Sequence, residues 1–173
     1  RNIRVTIGDP LPGGRRRVTF EFPDVLRVLE ECGEVPLPPY IRREGSEPGD
    51  LTRYQTVYAR TPGSVAAPTA GLHFTPEVFA GLDAVGVRRA FLTLHVGYGT
   101  FRPIQTDRVE DHTLESEEFD LPEETAALLT ETRRAGGRVI AVGTTATRTL
   151  ETLYRDGVYA PGTGATQCYI YPP

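Results

Sequence analysis

The alternation of apolar and polar positions gives the first half of the chain its shape. Ile3-Arg4-Val5-Thr6-Ile7 and Arg17-Val18-Thr19-Phe20-Glu21-Phe22 both run with period two. Asp9-Pro10 and Pro12-Gly13-Gly14 lie between them, which predicts a β-hairpin over residues 1–22. Arg15, Arg16 and Arg17 follow the turn and read either as a solvated edge or as contacts for a polyanion. Pro23 and Asp24 then open a short helix with Val25, Leu26 and Leu29 on one face, and Gly33 stands just past its end at Cys32. Pro36, Pro38 and Pro39 predict an extended, polyproline-like rail from Val35 to Arg43 that presents Tyr40 and Arg42. Residues 44–50 form a polar loop.

In the second half the period changes. Thr75 as N-cap and Pro76 at the first helical position predict a helix to about Val85, with Gly86 past its end. Ala90 to Val96 is an apolar run expected as a buried strand, and Pro122 to Ala135 reads as a helix closed by Gly136-Gly137. Arg138 to Val142 is expected as a second buried strand, followed by a helix from Gly143-Thr144-Thr145 to about Asp156. A Gly/Thr-rich loop (161–166) and a last strand, Cys168 to Tyr171, complete the chain. Strand, helix, strand, helix in this order implies a βαβ crossover. The expected fold class is α/β: a mixed sheet with βαβ units flanked by helices.

Composition narrows the function classes. A chain of 173 residues holds one domain, or one domain and part of another. Its 39% hydrophobic and 24% charged residues are those of an ordinary soluble protein. No apolar run is long enough to span a membrane, and the start has no signal-peptide pattern. A net charge of −4 does not by itself indicate nucleic-acid binding. Cys32 and Cys168 are far apart, and with three histidines they match no zinc pattern, so no metal is expected and the chain reads as reduced and cytoplasmic. All 19 basic residues are arginine, for which genome composition is the simpler reading, although arginine suits phosphate. The chain contains no methionine and opens inside a strand pattern, so it is expected to be an excerpt of a longer protein.

The candidate chemistry gathers at the ends of these elements. Ala66 to Thr75 is rich in small residues and interrupted by Pro68 and Gly71, and it carries Thr69 and His73 just ahead of a helix N-terminus. A tight structural connection with a satisfied histidine is the alternative there. His95 ends a buried strand and is followed by Gly97, Gly99 and Thr100, the position where open α/β sheets hold ligands. Asp111 to Glu118 surrounds His112 with carboxylates and is either a surface acidic patch or the source of an acid or base. Gly143-Thr144-Thr145, with Arg148 a turn later, offers donors to a sugar or phosphate oxygen, with ordinary N-capping as the alternative for Thr144. Arg53-Tyr54-Gln55-Thr56-Val57-Tyr58-Ala59 is dense in hydrogen-bonding and stacking groups, or else is a helix turn with inward tyrosines. The two strand-end turns, 95–99 and 143–145, are expected to open on one pocket suited to acid–base work on a polar small molecule.

Several of these segments carry a resemblance. Pro36-Leu37-Pro38-Pro39-Tyr40-Ile41, Arg53 to Ala59, Ala66 to Thr75, Leu94-His95-Val96-Gly97 with Gly99-Thr100-Phe101, and Ala141-Val142-Gly143-Thr144-Thr145 with Arg148 and Leu150-Glu151 occur in this order. Together, over roughly residues 34–173, the sequence resembles the S-adenosylmethionine:tRNA ribosyltransferase-isomerase family of queuosine biosynthesis. The resemblance implies transfer and isomerisation of the ribosyl part of S-adenosylmethionine onto 7-aminomethyl-7-deazaguanine at the tRNA wobble position. Epoxyqueuosine-tRNA forms, and adenine and methionine leave. S-adenosylmethionine is then a consumed substrate, and no cofactor is implied.

The family pairs an α/β domain with an all-β barrel. Residues 1–35 are therefore expected to be the terminal part of that barrel with its exit helix, and residues 36–173 the catalytic α/β domain, without the family's N- and C-terminal segments. The chemistry implied needs positioned acids and bases, for which His73, His95, His112 and Glu117 are the candidates. Arg53, Tyr54, Thr144, Thr145 and Arg148 are assigned to substrate binding, with Tyr40, Arg42, Gln55, Thr69, Gly97, Gly99, Thr100 and Gly143. One departure stands out: where the family commonly has His-x-Met-His-Ser-Glu, Leu114 and Glu115 replace the Met-His pair, while His112, Ser116 and Glu117 match.

Two other classes remain open. One is a non-catalytic module that binds a nucleoside or RNA. The other is a methyltransferase, which lacks support because no glycine-rich fingerprint follows a first strand. The products separate them: adenine and methionine, S-adenosylhomocysteine, or neither.

Overall fold

A computed structural model describes residues 3–42, 45 and 47–172. Arg1 and Asn2 at the start of the expected hairpin, Arg43 at the end of the proline-rich rail, Glu44 and Ser46 of the expected polar loop, and Pro173 lie outside the described residues. The chain divides into two compact units, residues 1–35 and 36–173.

The first unit is a hairpin and a helix. β1 (Val5–Leu11) pairs antiparallel with β2 (Arg15–Phe20), with Thr6 opposite Thr19 and a register shift between Ile7 and Pro10. A Pro12–Gly14 3-10 turn joins them. The arginines expected just beyond the turn form the first half of β2. Arg15 Nε donates to the Pro12 carbonyl (3.1 Å) and Arg16 Nη1 to that of Gly8 (3.3 Å). Helix α1 (Val25–Cys32) is capped by Asp24, whose carboxylate accepts the Arg27 N–H at 3.1 Å.

In the second unit the proline-rich rail bends. The Ile41 N–H reaches the Pro38 carbonyl at 2.9 Å, so Pro38 is buried and Tyr40 stands 70% exposed on a turn. A single helical turn, α2 (Asp50–Arg53), follows, with Tyr54 as its C-cap. The expected helix after Thr75 is present as α3 (Pro76–Ala84), and the Thr75 hydroxyl accepts the Val78 N–H at 3.4 Å.

The core sits on a three-stranded sheet in the order β3 (Thr93–Leu94), β4 (Glu117–Leu121), β7 (Gly162–Thr166). β4 is central and alternates strictly: Glu117, Phe119 and Leu121 are buried, while Glu118 and Asp120 are exposed. Leu94 and Val96 pack with Phe119, and Leu121 packs with Ala126, Leu150 and Tyr159. Burying such side chains is worth about 1.5–3 kcal/mol each. α4 (Glu123–Arg134) and α5 (Thr144–Leu153) supply Ala126 and Leu150 to this core. α5 ends three residues earlier than expected, because Tyr154–Arg155 (β5) turns back through Asp156-Gly157 to pair with Val158–Tyr159 (β6).

The α/β class holds, but the strand assignments differ. All ladders among the described residues are antiparallel, so the expected βαβ crossover does not appear as a parallel pair. Of 90–96 only Thr93–Leu94 is strand, and 138–142 joins no ladder: Val139 packs on the core while Ile140 is 74% exposed. The last strand is Gly162–Thr166, not Cys168–Tyr171. The Gly/Thr-rich segment can pair with β4 because Gly164 lies under the Phe119 ring, where an added Cβ would stand 2.8 Å from Phe119 Cζ. Cys168 cannot continue the ladder in the same way. Its N–H goes to the Thr166 hydroxyl (3.0 Å) and its carbonyl to the Arg148 Nε (2.6 Å).

Candidate functional site

The turn leaving β3 carries the densest cluster of candidate groups. The His95 N–H donates to the Glu118 carbonyl at 2.8 Å, which fixes the backbone of His95 against β4. On its other side runs Gly63-Ser64-Val65. The Val65 N–H donates to the Val96 carbonyl (3.0 Å), and the Val96 N–H to the Ser64 hydroxyl (3.1 Å). The His95 imidazole is half-buried, with Nδ1 buried and without a hydrogen-bond partner. A ligand reaching this ring would meet Nε2 rather than Nδ1.

Two residues on, the Gly97 N–H donates to Glu117 Oε1 at 2.9 Å. The other carboxylate oxygen, Oε2, pairs with Arg148 Nη1 on α5. The two side chains are only 8% and 11% exposed. Arg148 Nε is spent on the Cys168 carbonyl, and Arg148 Nη2 is buried without a partner. Both carboxylate oxygens of Glu117 are thus engaged, one by a guanidinium and one by a backbone donor, which ties the side chain to the turn. Gly97, Glu117 and Arg148 form one construction that sets the path of the backbone after His95.

Gly99 and Thr100 lie in the next turn, the 3-10 segment Tyr98–Phe101. The Glu115 side chain packs against Gly99 and pairs with Arg102 at 2.9 Å. The residue in the place of the resembled family's second histidine therefore braces this turn. His112 is half-buried and sits edge-on to Tyr169, with ring centroids 5.0 Å apart. His73 is exposed at the end of the Thr69–His73 3-10 turn, and Thr69 is exposed at its start. His73, His95 and His112 share no hydrogen bond among the described residues.

The Thr69–His73 turn touches the start of α5. Gly143 is the residue capping that helix, with Thr144 at its first position, and a Cβ added at Gly143 would lie 3.6 Å from Ala70 Cβ. Thr145 and Thr149 are tied within α5, the Thr149 hydroxyl donating to the Thr145 carbonyl at 3.1 Å. Tyr54 reaches the same 66–75 stretch from the other direction. Burial pushes its phenol above the ordinary range, with repulsion from Tyr40 adding to this and a backbone hydrogen bond from Ala67 opposing it. Tyr58 is likewise raised by burial, and its ring packs on Phe79 and Phe91. Gln55 accepts the Thr56 N–H at 2.8 Å, while Arg53 and Arg42 are exposed.

Three groups of candidates emerge: His95 with Gly97, Glu117 and Arg148; Gly143 with the Thr69–His73 turn; and Tyr54 with Tyr40. The sequence pattern does not single out Gly63 or Ser64, which carry no ionisable group. Pro62-Gly63 ahead of a small-residue run is the signal that could have found them. Among the described residues, no group of three or more His, Cys, Asp and Glu is placed to hold a metal ion, and no helix is long and apolar enough to cross a membrane.

Comparison with known proteins places the chain in a family. The sequence profile of the queuosine biosynthesis proteins matches residues 3–173. The S-adenosylmethionine:tRNA ribosyltransferase-isomerase of Natranaerobius thermophilus is 51% identical over 172 residues, which is 98% of this chain and 49% of that protein. The protein of the same name from Cupriavidus pinatubonensis is 52% identical over 170 residues, 97% of this chain and 48% of its own length. The Acaryochloris marina protein of that name is 54% identical over 145 residues, 84% of this chain. The chain spans about half the length of the first two relatives, and the match covers 38% of the third. With a family profile matched over nearly its whole length, the chain belongs to the queuosine biosynthesis protein family.

Proposed function

We propose that the protein containing this chain is an S-adenosylmethionine:tRNA ribosyltransferase-isomerase. It transfers the ribosyl moiety of S-adenosylmethionine to 7-aminomethyl-7-deazaguanine at the tRNA wobble position, isomerises it to give epoxyqueuosine-tRNA, and releases adenine and methionine. S-adenosylmethionine is consumed as a substrate, no resident cofactor takes part, and the reaction belongs to the cytoplasm, where tRNA is modified. The observation that carries this reading is identity above 50% to relatives bearing that name across nearly the whole of this chain.

The geometry around His95 supports it. Loss of a proton beside the sulfonium, departure of adenine and attack by the amine each need a group that exchanges protons at a fixed position. His95 offers Nε2 from a ring whose backbone is hydrogen-bonded on both sides. Gly97 and Gly99 add no side chain of their own to the following turn. Glu117 and Arg148, proposed from the sequence as an acid–base group and a substrate ligand, act here by holding that turn. His73 and His112, on other turns, are the further acid–base candidates. Tyr40, Arg42, Arg53, Tyr54, Gln55, Thr69, Thr100, Gly143, Thr144 and Thr145 are the proposed binding groups.

The test is a product assay on the full-length protein with S-adenosylmethionine and tRNA bearing the deazaguanine precursor. Adenine and methionine appearing only when both substrates are present supports the proposal. S-adenosylhomocysteine would mark a methyltransferase, and binding of both substrates without any product would mark a binding module.

A further inference from the structure

Gly63 lies against the Nδ1 side of the His95 ring. A Cβ built at Gly63 would stand 2.6 Å from His95 Nδ1, 2.8 Å from Cε1 and 3.3 Å from Cγ. Contacts below 3.0 Å force a neighbour to move, and two ring atoms fall below that distance, so the ring would have to turn or the strap would have to lift. Gly63 also has φ +141, a backbone conformation that L side chains rarely adopt. Its neighbour Ser64 uses one hydroxyl twice: it accepts the Val96 N–H (3.1 Å) and donates to the Leu94 carbonyl (3.4 Å). These bonds fall on the residues either side of His95. The Val65 N–H to the Val96 carbonyl (3.0 Å) continues the same strap.

We infer that Gly63 and Ser64 are positioning residues for the His95 imidazole, Gly63 as the side-chain-free seat against Nδ1 and Ser64 as the lock on the backbone that bears the ring. The seat closes one nitrogen to solvent and leaves Nε2 to face a ligand. Gly63 and Ser64 touch no reacting atom in this role; they act through His95. The inference rests on the proposed function only in giving His95 a proton to move.

The experiment uses the full-length protein with isotopically labelled histidine. His95 ring resonances are assigned by their loss in His95→Gln and followed through a pH titration, beside the rate of adenine release. Gly63→Ala shifts the His95 resonances and titration midpoint while the other histidines keep theirs. It lowers kcat by about 100-fold, with KM for S-adenosylmethionine little changed, the scale expected for a reacting group moved by about 1 Å. Ser64→Ala shifts the same resonances, and Ser64→Thr, which keeps the hydroxyl, restores them. Should Gly63→Ala fail to fold, the Ser64 pair decides. Folded Gly63→Ala and Ser64→Ala proteins whose His95 resonances and titration match the wild type overturn the inference, whatever their stability. A wild-type protein that releases no adenine overturns the proposed function instead and leaves the resonance test intact.

Discussion

Glu117 gives one carboxylate oxygen to Arg148 and the other to the Gly97 N–H, so a buried charge pair and the turn after His95 are a single structure. Strand β4 supplies the anion, helix α5 the cation, and the backbone between them becomes the third partner. Removing one ion leaves the other buried and uncompensated, a loss of about 3–5 kcal/mol. Glu117→Leu and Arg148→Met are each expected to destabilise the protein by that order. Glu117→Leu with Arg148→Met should recover most of the loss. Urea unfolding of the two singles and the double, read as a double-mutant cycle, checks this; additive losses would contradict it.

Thr166 holds the far end of the same helix. Its hydroxyl is 2.7 Å from that of Thr152 on α5 and accepts the Cys168 N–H, and the residue is 2% exposed. Thr166→Val keeps the shape but leaves the Cys168 N–H without its acceptor, while Thr152 keeps its bond to the Arg148 carbonyl, with an expected cost of about 1–3 kcal/mol. Thr163→Val, on the exposed part of β7, should change the urea midpoint little.

Some of this was readable from the sequence, and the reasons differ by segment. Helices α1, α3 and α4 announced themselves because Asp24, Thr75-Pro76 and Pro122 mark their starts locally, and capping is a local interaction. β4 was hidden. Glu117-Glu118-Phe119-Asp120-Leu121 reads as a solvated acidic patch until Arg148, 31 residues away, supplies the cation that lets Glu117 face inward. β7 was hidden for the complementary reason: Gly164 weakens a strand in isolation and is required only because Phe119 lies over it. The site was legible as residue types, since His95, Gly97, Glu117 and Arg148 were all named. Their connections were not, and Glu117 and Arg148 prove to hold each other. The seat under His95 left only the Pro62-Gly63 signal, because glycine and serine carry no ionisable group.

Tyr54 and Tyr58 set an alkaline limit. Burial raises both phenols above the ordinary 10.0. The folded state therefore holds these protons more tightly than the unfolded chain does. Below the unfolded value both states are protonated and nothing is lost; as pH rises through and beyond about 10, stability falls. Urea midpoints measured from neutral pH upward should decline there, with part of the phenolate absorbance lagging behind the exposed tyrosines. Tyr58→Phe should flatten the decline.

Thr75 caps α3 through a 3.4 Å bond to the Val78 N–H. A bond this long belongs at the weak end of capping, so Thr75→Ala is expected to cost about 0.5–1 kcal/mol, and Thr75→Ser or Thr75→Asp almost nothing. Thermal unfolding of the three variants measures it.

The central claim concerns which part of S-adenosylmethionine reaches the tRNA, and isotope placement tests it directly. The full-length protein is given precursor tRNA and S-adenosylmethionine labelled either in the ribose or in the methyl group. Ribose label should enter the tRNA while methyl label stays in solution as methionine, and His95→Ala should abolish the transfer while the protein remains folded. Methyl label in the tRNA, or no label in the tRNA although both substrates bind, would contradict the account.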